Sequence, residues 1–448
     1  MSTRQDIRIL DFISENLHTE FLQCRDEGRD VEKYRNIVVE VKEGNYNGEL
    51  SPYEISDLLT SANILDNFEF NEPSDYEKII SETKSLAFKS SIELSEKELM
   101  NKIKGAWAGR IAGCLLGKPI EGFMKPKIEK ILKSTNNYPM QKYICECDMS
   151  DDLVSELELD RDRWWADKID NISPIDDDTN YTVLAMKMID ENGFDFEPEK
   201  VIESWVSCIP VFDTFTAERA AYRNCVMGLK VPDTATYRNP SREMIGAQIR
   251  GDFYGYVNIG EPKKAAELAW RDASVSHTKN GIYGEMFISA LISIAAASDD
   301  IFSSIKKALE FIPQKSRLKR DIDIVFNWYN EGVPETEVIE RIHNIFDENC
   351  FYHWCHTNSN AMIVVMALLY GKKDFGKSIC LAVQAALDTD CNGATVGSVL
   401  GIMLGESNIP SYWKDAFSGG LYTSIKGYPK VSLDDLTKTT VELIKRKG

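Results

Sequence analysis

Residues 386–401 read Ala-Leu-Asp-Thr-Asp-Cys-Asn-Gly-Ala-Thr-Val-Gly-Ser-Val-Leu-Gly, and no other stretch restricts the fold as much. Two carboxylates, Asp388 and Asp390, interrupt a run of small and apolar residues. Ser378 to Leu387 has the composition of a buried helix, and so has Thr395 to Leu404. Positions two apart lie about 200° apart around a helix, so one continuous helix cannot aim both carboxylates at the same point. A break between two helices can. Asp, Asn and Gly suit such a break as cap and turn residues. The pair fits helix N-caps alone. Burial adds a second reading, because unpaired buried carboxylates are costly and call for a cation.

A second acidic cluster strengthens that reading. Asp176, Asp177 and Asp178 run consecutively in Ser-Pro-Ile-Asp-Asp-Asp-Thr-Asn-Tyr. They open a segment in which Tyr181, Leu184 and Met188 share one helical face. Alone, the run fits a solvated acidic helix start, favoured by the helix dipole. Together, five Asp at two helix starts supply the oxygen ligands that Mg²⁺, Mn²⁺ or Ca²⁺ prefer.

Two further motifs bear on the fold. One is Gly105-Ala-Trp-Ala-Gly-Arg-Ile-Ala-Gly-Cys-Leu-Leu-Gly117-Lys-Pro-Ile-Glu121-Gly. The other is Ser276-His277-Thr-Lys-Asn280-Gly281-Ile-Tyr283-Gly284. The first extends a helix opened by a Ser95/Glu98 capping box. Isolated, so many glycines weaken a helix, so close packing against neighbouring helices is expected.

In this order the four motifs resemble those of the ADP-ribosylglycohydrolase family, of the dinitrogenase-reductase-activating type, over roughly residues 97–447. The resemblance implies an all-α, compact multi-helix fold with a two-metal site cut into one end. It implies a hydrolase that cleaves the glycosidic bond joining ADP-ribose to a protein side chain or small acceptor. The implied cofactor is Mg²⁺ or Mn²⁺, two ions, with Asp176, Asp177, Asp178, Asp388 and Asp390 as ligands. The implied catalytic residues are Glu121, Asp177 and Asp390, with His277 and Asn392 expected at the substrate. Three positions depart from the family pattern. Asp176 and Cys391 each stand where a Thr is common, and Cys114 where an Asp is common. A thiol is a poor Mg²⁺ ligand. These departures keep two alternatives open: a metal-dependent glycosidase on another ribosyl compound, and a non-enzymatic partner-binding protein on the same fold.

Length permits two domains among the 448 residues. Residues 95–448 are read as the family domain and 1–94 as a small α/β or α extension of unknown role, a packing or dimerisation module or a lid near the site. In the extension, Leu10, Ile13 and Leu17 fit one helix face, 36–42 (Asn-Ile-Val-Val-Glu-Val-Lys) reads as a strand, and Ser51-Pro52-Tyr53-Glu54 is a capping box. Asn67 to Asp75 reads as a linker. Within the family domain, Glu199 to Leu229 reads as helical. The acidic stretch 136–170 reads as an irregular insertion, whose Trp164-Trp165 pair fits core or a packed loop, or a stack on an adenine or another base. Gln248, Arg250 and Asp252 fit either a structural role or the cleft.

The net charge of −19 argues against nucleic-acid binding, which needs a basic surface. It leaves a phosphate-bearing substrate open, because a bound metal reverses the local field. Ten scattered cysteines without a CxxC pair, and five histidines, point to free thiols rather than zinc. There is no apolar run of about 18 residues and no apolar signal core at the N-terminus, so a cytoplasmic protein is expected. The expected partner is an ADP-ribosylated protein or a ribosyl small molecule. Oligomeric state is not readable.

Overall fold

A computed structural model describes residues 12–84 and 93–447 of the chain. Helices carry nearly all of its regular structure. Among the described residues the strands are two dipeptides, Leu421–Tyr422 and Lys430–Val431, paired antiparallel with Leu421 opposite Val431. The fold is all-α.

The centre is a pair of antiparallel helices, Glu96–Gly117 and Thr389–Leu404. Glycines at intervals of four form a stripe on each, since positions four apart share a helix face. Gly105, Gly109 and Gly113 face Gly401, Gly397 and Gly393 in turn. A Cβ added at Gly109 would stand 2.0 Å from the Gly397 carbonyl oxygen, and one at Gly113 would stand 1.8 Å from that of Gly393. The backbones therefore touch, and that contact offsets the cost of so much glycine in a helix. The capping box expected at Ser95/Glu98 is present. The last contact of the stripe sets Gly117 against Thr389, whose hydroxyl donates to the Gly117 carbonyl at 2.9 Å. One helix end is thereby pinned to the other helix start.

Two further helices, Lys279–Ala295 and Thr357–Gly371, are apolar all round and lie inside the molecule. The C-terminal helix Leu433–Lys447 covers the outside, where Thr440 accepts from the Trp107 indole at 3.0 Å. The segment expected to be one helix from Glu199 to Leu229 is two, Pro198–Cys208 and Thr216–Val226. Pro210 ends the first, since proline cannot continue the hydrogen-bond ladder.

The N-terminal part is helical where described: Phe12–Asp26, Arg35–Lys42 and Pro52–Ser61. Leu10 lies outside the described residues, and Leu17 is buried. The strand expected at 36–42 is a helix. Its apolar residues follow a spacing of three to four, with Val38 buried and Tyr34 and Val41 packed against the core. The capping box at Ser51/Glu54 forms as expected. The stretch expected as a linker is packed instead. Glu72 is buried against Arg317 at 2.7 Å, and the Ser74 carbonyl accepts from the Trp270 indole at 2.9 Å. Arg242 joins this part to the rest through Glu20 at 2.5 Å and Glu27 at 2.7 Å.

Candidate active site

Both acidic clusters sit at helix starts, where their spacing placed them. Asp176 is the N-cap of helix Asp177–Asn192, its Oδ1 accepting from the Asp178 amide at 2.9 Å. Asp388 precedes helix Thr389–Leu404. The break before it is sharp: Ala386 and Leu387 both take left-handed backbone, φ 64° and 58°. Such a conformation costs a side-chain-bearing residue roughly 1–2 kcal/mol, and strain of this kind collects at functional sites. Here it turns the chain so that Asp388 and Asp390 face one point. Asn360, on the buried helix beneath, holds the turn by accepting from the Asp388 amide at 3.1 Å and the Asn392 side chain at 2.8 Å.

The pinned helix end brings a third contributor. Beyond Gly117 a single 3₁₀ turn, Lys118–Ile120, delivers Glu121 to the same place. Carboxylate oxygens of Glu121, Asp388 and Asp390 lie within 4.8 Å of one another, and so do those of Asp176, Asp177, Asp178 and Asp390. Asp390 belongs to both groups. They form the floor of a cavity of about 370 Å³, to which Asp178 does not contribute surface. Its rim is aromatic: Phe215 and Phe351 are 48% and 49% exposed, and Phe351 stacks on Trp354 with centroids 6.2 Å apart.

The charges are strongly perturbed. Burial, then Asp176 and Asp177, push the Glu121 carboxyl up to about 7. Burial also raises Asp388, helped by Asp390 and Glu121, and Asp390, helped by Glu121 and Asp176. Asp176 is the exception. Burial opposes its ionisation, but the Lys118 ammonium at 2.6 Å holds it below the usual carboxylate range.

The sequence model of the ADP-ribosylglycohydrolase family matches residues 95–445, most of the chain. The chain belongs to the ADP-ribosylglycohydrolase family. That family groups glycosidase-type hydrolases of ADP-ribosylated substrates. Among solved structures, one titled "ADP-ribosylglycohydrolase-related protein complex" is similar at 16% identity and a TM-score of 0.45, with 79% of this chain and all of that chain covered. A comparison with curated proteins gave no match. No helix among the described residues is long and apolar enough to cross a membrane.

Of the site residues expected for this member of the family, Glu121, Asp176, Asp177, Asp388 and Asp390 line the cavity. Asp178 lies behind the wall, its Oδ1 accepting from Arg110 Nη2 at 2.9 Å, while Arg110 also pairs with Asp252 at 2.9 Å. Asp252, left undecided from sequence, is thus a structural counter-ion. Arg250 is another, paired with Glu218 and with Asp272 at 2.6 Å. His277 is 1% exposed and does not line the cavity. It is hydrogen-bonded to Ser276 at 2.8 Å, and Ser276 accepts from Arg250 at 3.1 Å. Asn392 is buried beneath the Asp388 turn and also stands off the cavity surface. Trp164 is 50% exposed and Trp165 fully buried, so the pair is not a stacking platform. The same insertion has another use: Arg163 donates to the Glu121 carbonyl at 2.6 Å.

Sequence reasoning missed Lys118, Arg163, Glu218 and the aromatic rim. For Lys118 the signal was its place three residues before Glu121, at the end of the glycine-rich motif. For Phe215 the signal was Pro210, which breaks the helix and sends 211–215 to the cavity.

The residues fit a hard divalent cation. Asp390 Oδ1 and Asp178 Oδ2 are buried and lack a hydrogen-bond partner. Carboxylate oxygens are the donors Mg²⁺ and Mn²⁺ prefer. The thiols of Cys114 and Cys391 are raised well above their usual range by burial, then by nearby carboxylates, so they stay protonated and do not compete as ligands.

Proposed function

We propose that this chain hydrolyses the C1 glycosidic bond between ADP-ribose and a protein side chain or small acceptor, and needs Mg²⁺ or Mn²⁺ to do so. The observation that carries the reading is the convergence of Glu121, Asp176, Asp177, Asp388 and Asp390 on the floor of one cavity in a member of this family. Bound there, a divalent cation supplies positive charge that polarises water and orients ribose hydroxyls.

The chain's own residues supply the rest. The aromatic rim of Phe215 and Phe351 offers flat apolar surface to a base or sugar. Glu121, which would be held in its carboxylate form beside a cation, accepts a proton from the water that attacks C1 and returns it to the departing nitrogen or oxygen as the glycosidic bond breaks. Asp177 and Asp390 orient that water and the ribose, and the negative floor favours the oxocarbenium-like state in which C1 is positive. The motif pattern follows the dinitrogenase-reductase-activating type, so arginine-linked ADP-ribose heads the substrate panel.

The test is release of ADP-ribose from arginine-linked and serine-linked peptides, with a nucleoside as control. The full chain and Asp390→Ala are assayed with Mg²⁺, Mn²⁺ or a chelator. We expect release from at least one peptide, lost on chelation and in Asp390→Ala. Cleavage of the nucleoside alone moves the reading to a glycosidase on other ribosyl compounds. Neither cleavage nor cation binding leaves a partner-binding role on the same fold.

A further inference from the structure

Both carboxylate oxygens of Asp176 already accept a hydrogen bond from the chain. Its Oδ1 accepts from the Asp178 amide at 2.9 Å, and its Oδ2 accepts from Lys118 Nζ at 2.6 Å. The Cys114 sulfur lies within 4.8 Å of a carboxylate oxygen of Asp176. The Lys118 side chain is 12% exposed and lines the cavity, so its ammonium is part of the floor. Its charge also acts on Asp390, Asp177 and Glu121.

The two carboxylate groups are therefore unequal. In the group of Asp176, Asp177, Asp178 and Asp390, Lys118 pairs with Asp176 and Arg110 with Asp178 at 2.9 Å. In the group of Glu121, Asp388 and Asp390, no Lys or Arg among the described residues forms an ion pair with any member. Asp390, shared by both groups and 1% exposed, has its Oδ1 without a hydrogen-bond partner. A divalent ion in the first group faces the repulsion of a fixed ammonium. If it takes Asp176 Oδ2 as a ligand it strips Lys118 of its partner, which strands a buried charge. An ion in the second group also feels the Lys118 charge, through Glu121 and Asp390, but breaks no ion pair to bind.

We infer that the Lys118 ammonium is a built-in cation that takes the place of one metal ion beside Asp176, so that the site binds a single divalent cation, held by Glu121, Asp388 and Asp390. The inference rests on the metal-dependent reading above and departs from the two ions implied by resemblance.

The experiment counts Mn²⁺ ions on the full chain by titration calorimetry, with electron paramagnetic resonance to detect a spin-coupled pair. The wild type is expected to bind one ion per chain and give an uncoupled signal. Lys118→Met, which removes the charge at similar size, is expected to bind two and show coupling. Lys118→Arg is expected to stay at one. Two ions in the wild type overturn the inference, and so does a count of one in both wild type and Lys118→Met. No ion in the wild type overturns the metal-dependent reading itself, a distinct outcome from a count of two. The wild-type count decides even where a variant fails to fold.

Discussion

Glu121 concentrates the chemistry at the scale of single residues. Burial, with Asp176 and Asp177, lifts its carboxyl from 4.5 to about 7, and Asp388 and Asp390 are raised for the same kind of reason. A raised carboxyl keeps its proton in the folded chain at a pH where the unfolded chain has lost it. Folded stability then falls as pH rises. For Glu121 the penalty is absent below its unfolded value of 4.5 and complete above about 7. In chelator, the thermal midpoint should decline across that window. Added Mg²⁺ should restore it, most at the upper end, where more carboxylates are ionised and available. A midpoint in chelator that does not fall with pH would contradict the buried cluster. Glu121→Gln should lower kcat by about 10²–10⁴ while leaving the chelator midpoint unchanged or higher, since it removes a repelled charge.

At the scale of elements, the glycine stripe builds the site by bringing one helix end onto another helix start. Gly109 and Gly397 each face the other's carbonyl, and a Cβ on either would lie 2.0 Å from it. The obstacle is backbone on both sides and cannot rotate away. Gly109→Ala should cost about 3 kcal/mol or more, the upper end of overpacking effects, measured by urea denaturation. A loss below about 1 kcal/mol would mean that the two helices are not in backbone contact. The acidic insertion acts on the same helix end through Arg163, whose guanidinium holds the Glu121 carbonyl at 2.6 Å and lies 4.6 Å from the Phe123 ring centroid. Arg163→Ala should lower kcat about tenfold, equivalent to about 1.4 kcal/mol, with little change in KM or thermal midpoint. A change confined to KM would place Arg163 on the substrate instead.

Across the whole molecule, the N-terminal part reaches the cavity wall through buried ion pairs. Burial opposes ionisation of Glu27, but Arg242 and Lys279 hold it well below the usual carboxylate range. The residues after Arg242 run straight to the wall. Glu243 accepts from Gln23 at 2.8 Å and from Arg317 at 2.8 Å, and Ile245 and Gly246 line the cavity. Arg242→Ala leaves Glu20 without an Arg partner and Glu27 with Lys279, Arg29 and Gln23, and should cost about 3–5 kcal/mol. It should also raise KM by loosening Ile245 and Gly246. A chain of residues 95–448 alone should melt below the full chain. An equal midpoint would mark residues 1–94 as an independent attachment.

The all-α class, the helix start at Asp177, the break beside Asp388, the capping boxes at Ser95 and Ser51 and the tight glycine contact were legible in the sequence, although the helix read from Thr395 begins at Thr389. Each rests on spacing within a few residues: periodicity, caps and the steric demand of a missing side chain. The carboxylates Asp176, Asp177, Asp388 and Asp390 were legible for the same reason, since each stands at a helix start, whereas Glu121 was marked only by the family resemblance. The helix at 35–42 was not, because β-branched residues in a short segment fit both periods until neighbours select one. The charge partners were not legible either. Lys118 and Asp176 are 58 positions apart, and Arg110 meets Asp178 over 68. Which cation neutralises which buried carboxylate depends on where whole helices come to rest against one another. Local pattern carries no record of that distance, so the tertiary structure alone decided which carboxylates remain free.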